Sequence, residues 1–277
     1  MEHRLTGKTV LKEVILIVCT LIMLLPIFYL ALGAFKGRTD IVKHPLLLTA
    51  EMFTWKNFPY AIKKMSYWKA LGNTAFITGV SLAIVVICSS LAGFAIARLR
   101  GRIFSTYYNL LVALMVIPFI GCLLPTVILS VNLHTYNTLW GCVLIQSAWN
   151  IPFSTFLYTG FMRDLPKELE EAAYIDGCTT FAVYGKIFLP LLAPVTATCC
   201  IYAGVGIWND YLVSSSLLNS ALTPTLMVGI KSFFGQYTTE YGYAFAGIIL
   251  ASIPMVILFL SLQKYFIKGI AAGAVKG

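Results

Sequence analysis

Six runs of roughly twenty or more mostly apolar residues govern what this chain can fold into. They lie at about 14 to 35, 73 to 97, 105 to 130, 139 to 162, 191 to 212 and 244 to 267, with short polar segments between most of them. A helix needs about 20 residues to cross the hydrocarbon core of a bilayer, so runs of this length read as spanning helices. Composition agrees: 59% of the residues are apolar and 11% charged, where a soluble domain carries about 45 to 50% and about 25%. The expected fold is an all-α integral membrane protein with about six transmembrane helices. It forms one membrane domain over residues 1–277 with its core at about 70–267.

The net charge of +9 does not point to nucleic acid, because Lys and Arg lie between the apolar runs without forming a dense patch. Membrane lipid is the expected surroundings, and the charges set orientation. With the N-terminus inside, the inner segments hold Arg4, Lys8, Lys12, Arg98, Arg100, Arg102, Arg163, Lys167, Lys186, Lys264, Lys268 and Lys276. The outer segments hold Lys36, Arg38, Lys43, Lys56, Lys63, Lys64, Lys69 and Lys231, seven of them in one long connection. The short loop Arg98 to Arg102 is the strongest marker, and both termini are assigned to the cytoplasm. The run from Val14 to Phe35 exceeds the apolar core of about 7 to 15 residues of a secretory leader, so it is read as the first helix. Seven cysteines without ligand spacing argue for packing residues, with no disulfide framework and no metal.

The segment from about 163 to 190 carries the most information. Pro166 suits a first helical turn, Glu168, Glu170 and Glu171 match the positive end of a helix dipole, and Gly177 can end the helix in a left-handed conformation. A short helix, a turn and a second helix are expected. Leu169, Ala172 and Ala173 form a small apolar face beside Glu168 and Glu171, and Phe181, Tyr184 and Phe188 do the same on the second helix. Such a helix-turn-helix is shaped to insert into a groove on another protein.

Glu171-Ala172-Ala173, Gly177 four residues later, and Ile187-Phe188-Leu189-Pro190 after nine more residues resemble the cytoplasmic signature of ABC-importer permeases. The stretch from Pro166 through Asp176 to Gly177 is similar to the version in maltose-type, oligosaccharide systems. Asn57-Phe58, Asn73-Thr74, Ile117-Pro118 and Trp208-Asn209-Asp210 extend the similarity along the chain, and the tail Gly269 to Gly277 is similar to that of the second permease of maltose-type systems. Cys178 departs from the family, which more often has Ala.

The resemblance implies a type I ABC-importer permease in the bacterial cytoplasmic (inner) membrane, taking up a di- or oligosaccharide. The same role for glycerol phosphate or another polar solute is the alternative. Implied partners are a second permease, two copies of an ABC ATPase and an extracytoplasmic sugar-binding protein. Glu168, Glu171, Ala172, Ala173, Asp176, Gly177 and Pro190 are the implied ATPase-coupling residues, and the tail at 268–277, including Gly273, Lys276 and Gly277, is implied to reach towards the ATPase. The chain lacks a Gly-x-x-x-x-Gly-Lys-Ser/Thr loop, so no cofactor is expected on it, and ATP with Mg belongs to the ATPase.

The substrate pathway is less legible. Gln146 and Asn150 share one helix face before Pro152, and they can meet either sugar hydroxyls or a neighbouring helix. Asp210, near the outer end of its span, is read as interfacial, with a gate or docking role as the sharper alternative. A secondary transporter or channel would carry ionisable residues inside its spans, and these are nearly absent. A membrane-embedded enzyme would need a catalytic cluster that His3, His44 and His134 cannot supply.

Overall fold

The computed structural model describes residues 7–99, 101–235 and 239–274. Arg4 and Arg100 from the charge pattern and Val275, Lys276 and Gly277 from the tail lie outside the described residues. In chain order the helices are α1 (Gly7–Ala34), α2 (Arg38–Lys43), α3 (Asn57–Lys64), α4 (Tyr67–Arg98), α5 (Arg102–Leu114), α6 (Phe119–Asn132) and α7 (Leu139–Arg163). Then come α8 (Glu168–Ile175), α9 (Thr180–Val183), a π-helical stretch (Tyr184–Phe188), α10 (Leu189–Leu191), α11 (Ala193–Trp208), α12 (Leu212–Leu217), α13 (Leu226–Lys231) and α14 (Tyr241–Ala274).

Among the described residues, Thr9–Ala34, Tyr67–Arg98 and Tyr241–Ser261 are each long and apolar enough to cross a membrane. One of the expected straight spans is broken: the third run divides into α5 and α6, bent by 107°. The fifth, expected from about 191, begins at a bend of 71° between the return helix Thr180–Leu191 and Ala193–Trp208. Proline explains both bends, since Pro118 is the extended residue before α6 and Pro194 sits in the first turn of α11, where neither can donate to the helix before it. Counting each bent pair once gives five crossings. The expected fourth span coincides with α7, which is long enough but too polar to pass the same test.

The chain divides into two compact units, Met1–Tyr67 with Gly229–Ser252 and Trp68–Val228 with Ile253–Gly277. In the first unit, Asn57 of the Asn57-Phe58 pair donates from Nδ2 to the carbonyls of Ala34 and Lys36, both at 2.8 Å, satisfying acceptors left open where α1 ends. Lys36 is fully buried and donates to the carbonyls of His44 and Pro45 at 2.9 and 3.0 Å. Burial pushes its pKa below the ordinary lysine value, with Asp40 pulling the other way.

In the second unit, α4 and α7 approach closely at Gly93, where a Cβ would stand 2.7 Å from Cβ of Tyr158. Tyr158 also donates to Oγ1 of Thr196 at 2.8 Å, joining α7 to α11. The Asn73-Thr74 pair ties the start of α4 to the approach to α13: Asn73 Nδ2 donates to the Pro224 carbonyl at 2.8 Å, and the Leu226 N–H donates to Thr74 Oγ1 at 3.1 Å. The expected tail boundary at 268 is not a structural break, because α14 runs on through Gly273 to Ala274.

Candidate functional site

The hairpin between α7 and α11 is built by two local devices. At the end of α8 the Gly177 N–H donates to the Tyr174 carbonyl (3.1 Å) and the Cys178 N–H to the Ala173 carbonyl (2.9 Å), a Schellman closure with Gly177 at φ +78°. The return helix then starts on Thr179, whose Oγ1 accepts from the Ala182 N–H at 3.3 Å. The hairpin is rooted in the core by Ala173, Val183 and Phe188, which pack with Phe94, Tyr158 and Met162.

That packing divides both expected apolar faces. Ala173 is 5% exposed while Leu169 and Ala172 face outwards, and Phe188 is fully buried while Phe181 is 82% exposed. Tyr184 also turns inwards, exchanging a 2.8 Å hydrogen bond with Ser90 of α4. The outer surface carries Glu168, Glu171, Asp176, Gly177 and Pro190, and its most exposed large apolar side chains are Ile175 and Phe181.

Arg98, read from sequence only as an orienting charge, lies inside this site with its side chain 3% exposed. Its Nη2 donates to the carbonyls of Met162 and Leu165 at 2.7 and 2.8 Å, its guanidinium lies 5.0 Å from the Phe188 ring centre, and its Nε is 3.8 Å from Oε2 of Glu170. No sequence signal separates Arg98 from Arg100 or Arg102, because its partners stand more than sixty residues downstream.

Gln146 and Asn150 line one cavity of about 270 Å³ together with Phe119, Trp149, Tyr202 and Asp210. Asn150 Nδ2 donates to the Gln146 backbone carbonyl at 2.8 Å, so one of its hydrogen bonds stays within α7. A larger cavity of about 650 Å³ lies in the elbow between the α5–α6 bend and α7 and shares Phe119, Trp149, Asn150 and Tyr202 with the first. The Asp210 carboxylate accepts from the N–H groups of Val213 and Ser214 and from the Ser214 hydroxyl, capping α12.

Residues 86–272 match the family described as binding-protein-dependent transport system inner membrane component. The chain belongs to this permease family. The permease is 36% identical over 254 residues to the melibiose/raffinose/stachyose import permease protein MelC of Bacillus subtilis, covering 91% of both chains. It is 33% identical over 260 residues to a probable starch degradation products transport system permease protein, AmyC, of Thermoanaerobacterium thermosulfurigenes, covering 94% of both. In fold it is similar to a chain of a bacterial ABC transporter involved in the import of the acidic polysaccharide alginate, with a TM-score of 0.80 at 19% identity, over 93% of the permease and 95% of that chain. The permease is thus a multi-pass inner-membrane component of an importer, with the type I fold that the resemblance implied. The matched residues take in the hairpin, both cavities and the Arg98 site.

Proposed function

We propose that this permease pairs with a second permease to form the translocation pathway for a di- or oligosaccharide, driven by two copies of a cytoplasmic ATPase and supplied by an extracytoplasmic sugar-binding protein. The observation that carries the reading is the hairpin. It exposes Ile175 and Phe181 among Glu168, Glu171 and Asp176, while Ala173 and Phe188 anchor it in the core. Apolar side chains of that size are held against water where a partner covers them, and the acidic rim suits a basic groove. Gly177 sets the direction in which the return arm leaves α8, and Ala172 and Pro190 lie exposed beside the rim. ATP and Mg belong to the ATPase. Both termini are assigned to the cytoplasm.

A carbohydrate cargo is supported by the sugar importers named among the relatives at a third or more identity. The rings of Phe119, Trp149 and Tyr202 beside the amides of Gln146 and Asn150 form the kind of apolar wall with few polar groups that holds a sugar. The complex reconstituted in proteoliposomes should accumulate labelled disaccharides or trisaccharides with ATP inside and binding protein outside, and the isolated chain should hydrolyse no ATP. Accumulation of glycerol phosphate alone would select the other cargo, and turnover by the single chain would overturn the division of labour.

Orientation is read by labelling. A cysteine at the exposed Glu51, near Thr54, should react with an impermeant maleimide from outside, and one at Lys167 should react only after the membrane is opened. The reverse pattern would move the hairpin to the wrong side for docking.

A further inference from the structure

Arg98 is the last residue of α4, yet its side chain touches three other parts of the chain. The guanidinium Nη2 donates to the carbonyls of Met162 and Leu165 at the end of α7, where the Met162 carbonyl also accepts from the Leu165 N–H. The cation also meets the negative end of the α7 dipole there. The guanidinium carbon lies 5.0 Å from the centre of the Phe188 ring on the return arm, and Nε lies 3.8 Å from Oε2 of Glu170 of α8. This is the only ion pair among the described residues. At 3.8 Å it is longer than a hydrogen bond, and Nε is buried without a hydrogen-bond partner, so a small approach of the carboxylate closes a direct bond.

The covalent link between α7 and α8 is only the segment 164–167, which contains Pro166. Such a link can hinge, and the apolar contacts of Ala173 and Phe188 can slide, because dispersion contacts have little directionality. The guanidinium adds what dispersion lacks, two directed bonds to the end of α7 and a 3.8 Å charge contact to Glu170 of α8. We propose that Arg98 is a positioning residue that makes α8 move as one body with α4 and the end of α7, so that displacement of the hairpin reaches the membrane helices. This rests on the reading that α8 docks on the ATPase.

The test is a distance measurement in the full reconstituted complex, with spin labels at Lys167 beside α8 and at the exposed Ile87 of α4. The parent should give one narrow distance, the same without nucleotide and after trapping with ATP, Mg and vanadate. Arg98→Gln should broaden that distribution or move it by about 2 Å or more on trapping, the scale of helix shifts in switching proteins. Arg98→Lys, with a point charge in place of the fork, should fall between. A distribution in Arg98→Gln as narrow and invariant as the parent's overturns the proposal, as does a parent distance that itself changes on trapping. If Arg98→Gln fails to accumulate, Glu170→Gln decides by the same criterion, since it leaves both carbonyl bonds intact. Failure of the docking reading shows separately, as undiminished ATPase recovery with the hairpin variants described below.

Discussion

Gly177→Val is expected to leave the permease in the membrane at near-normal level while cutting recovery of the ATPase in a detergent pull-down by about tenfold. Space is not the obstacle, because a Cβ on Gly177 meets nothing within 4 Å. The obstacle is the backbone: at φ +78° an L side chain costs about 1 to 2 kcal/mol, most for a β-branched one, and about 1.4 kcal/mol is a factor of ten. Relaxing that strain breaks the Schellman bonds and changes the angle at which the Thr179 arm leaves α8. Gly177→Asn should recover most of the loss, since Asn tolerates the left-handed region. Glu171→Lys should reach the same loss by a different route, keeping the helix, as Lys is a comparable helix former, while reversing a charge on the exposed rim. Full ATPase recovery and full transport in Gly177→Val and Glu171→Lys together would remove the hairpin as the coupling element.

The second large effect is expected inside the membrane. Gly93→Ala should lower abundance and thermal stability, although the same change on a free helix face stabilises by up to about 1 kcal/mol. A Cβ at Gly93 would stand 2.7 Å from Cβ of Tyr158, 3.1 Å from the Thr159 nitrogen and 3.2 Å from the Tyr158 carbonyl carbon. Two of these are backbone atoms, which cannot rotate away. The helices must separate, at about 1 to 3 kcal/mol for overpacking, and the Tyr158–Thr196 bond and the burial of Met162 loosen with them. Gly79 lies on the same helix with nothing within 4 Å. Gly79→Ala should therefore be neutral or stabilising, and it is the opposite signs at the two glycines, read by thermal unfolding in detergent, that test the close approach. Equal responses would mean that α4 and α7 are not in contact at Gly93.

Which parts of this were legible in the sequence follows from the range of the interactions. α4 at Tyr67–Arg98 and α7 at Leu139–Arg163 follow runs expected at about 73 to 97 and 139 to 162, because spanning length is a local property. The left-handed Gly177 was legible for the same reason, being fixed by residues within four positions. The elbow at Met115–Pro118 was hidden by the continuous apolarity of its run: Ile117-Pro118 was visible as a family likeness, yet hydropathy alone cannot tell a straight span from one bent by 107°. The inward turn of Ala173 and Phe188 was misread because a helical face shows periodicity without showing which side meets the core. Asp210 was read from its distance to water, whereas its capping of α12 depends on Ser214, whose polarity gave no sign of a helix start.

The polarity of α7 has a consequence for how the segment is held in the membrane. Gln146, Ser147, Ser154, Thr155 and Thr159 are all buried, and Ser147 bonds back to its own helix while the hydroxyls of Ser154, Thr155 and Thr159 lie among packed side chains. A segment that carries so many polar groups and falls below the apolarity of its neighbours gains little by entering lipid alone. It is covered by contacts with α4, α5 and α11. The polar groups of α7 are thus covered by neighbouring helices and not by lipid, so protein contacts hold this segment in place.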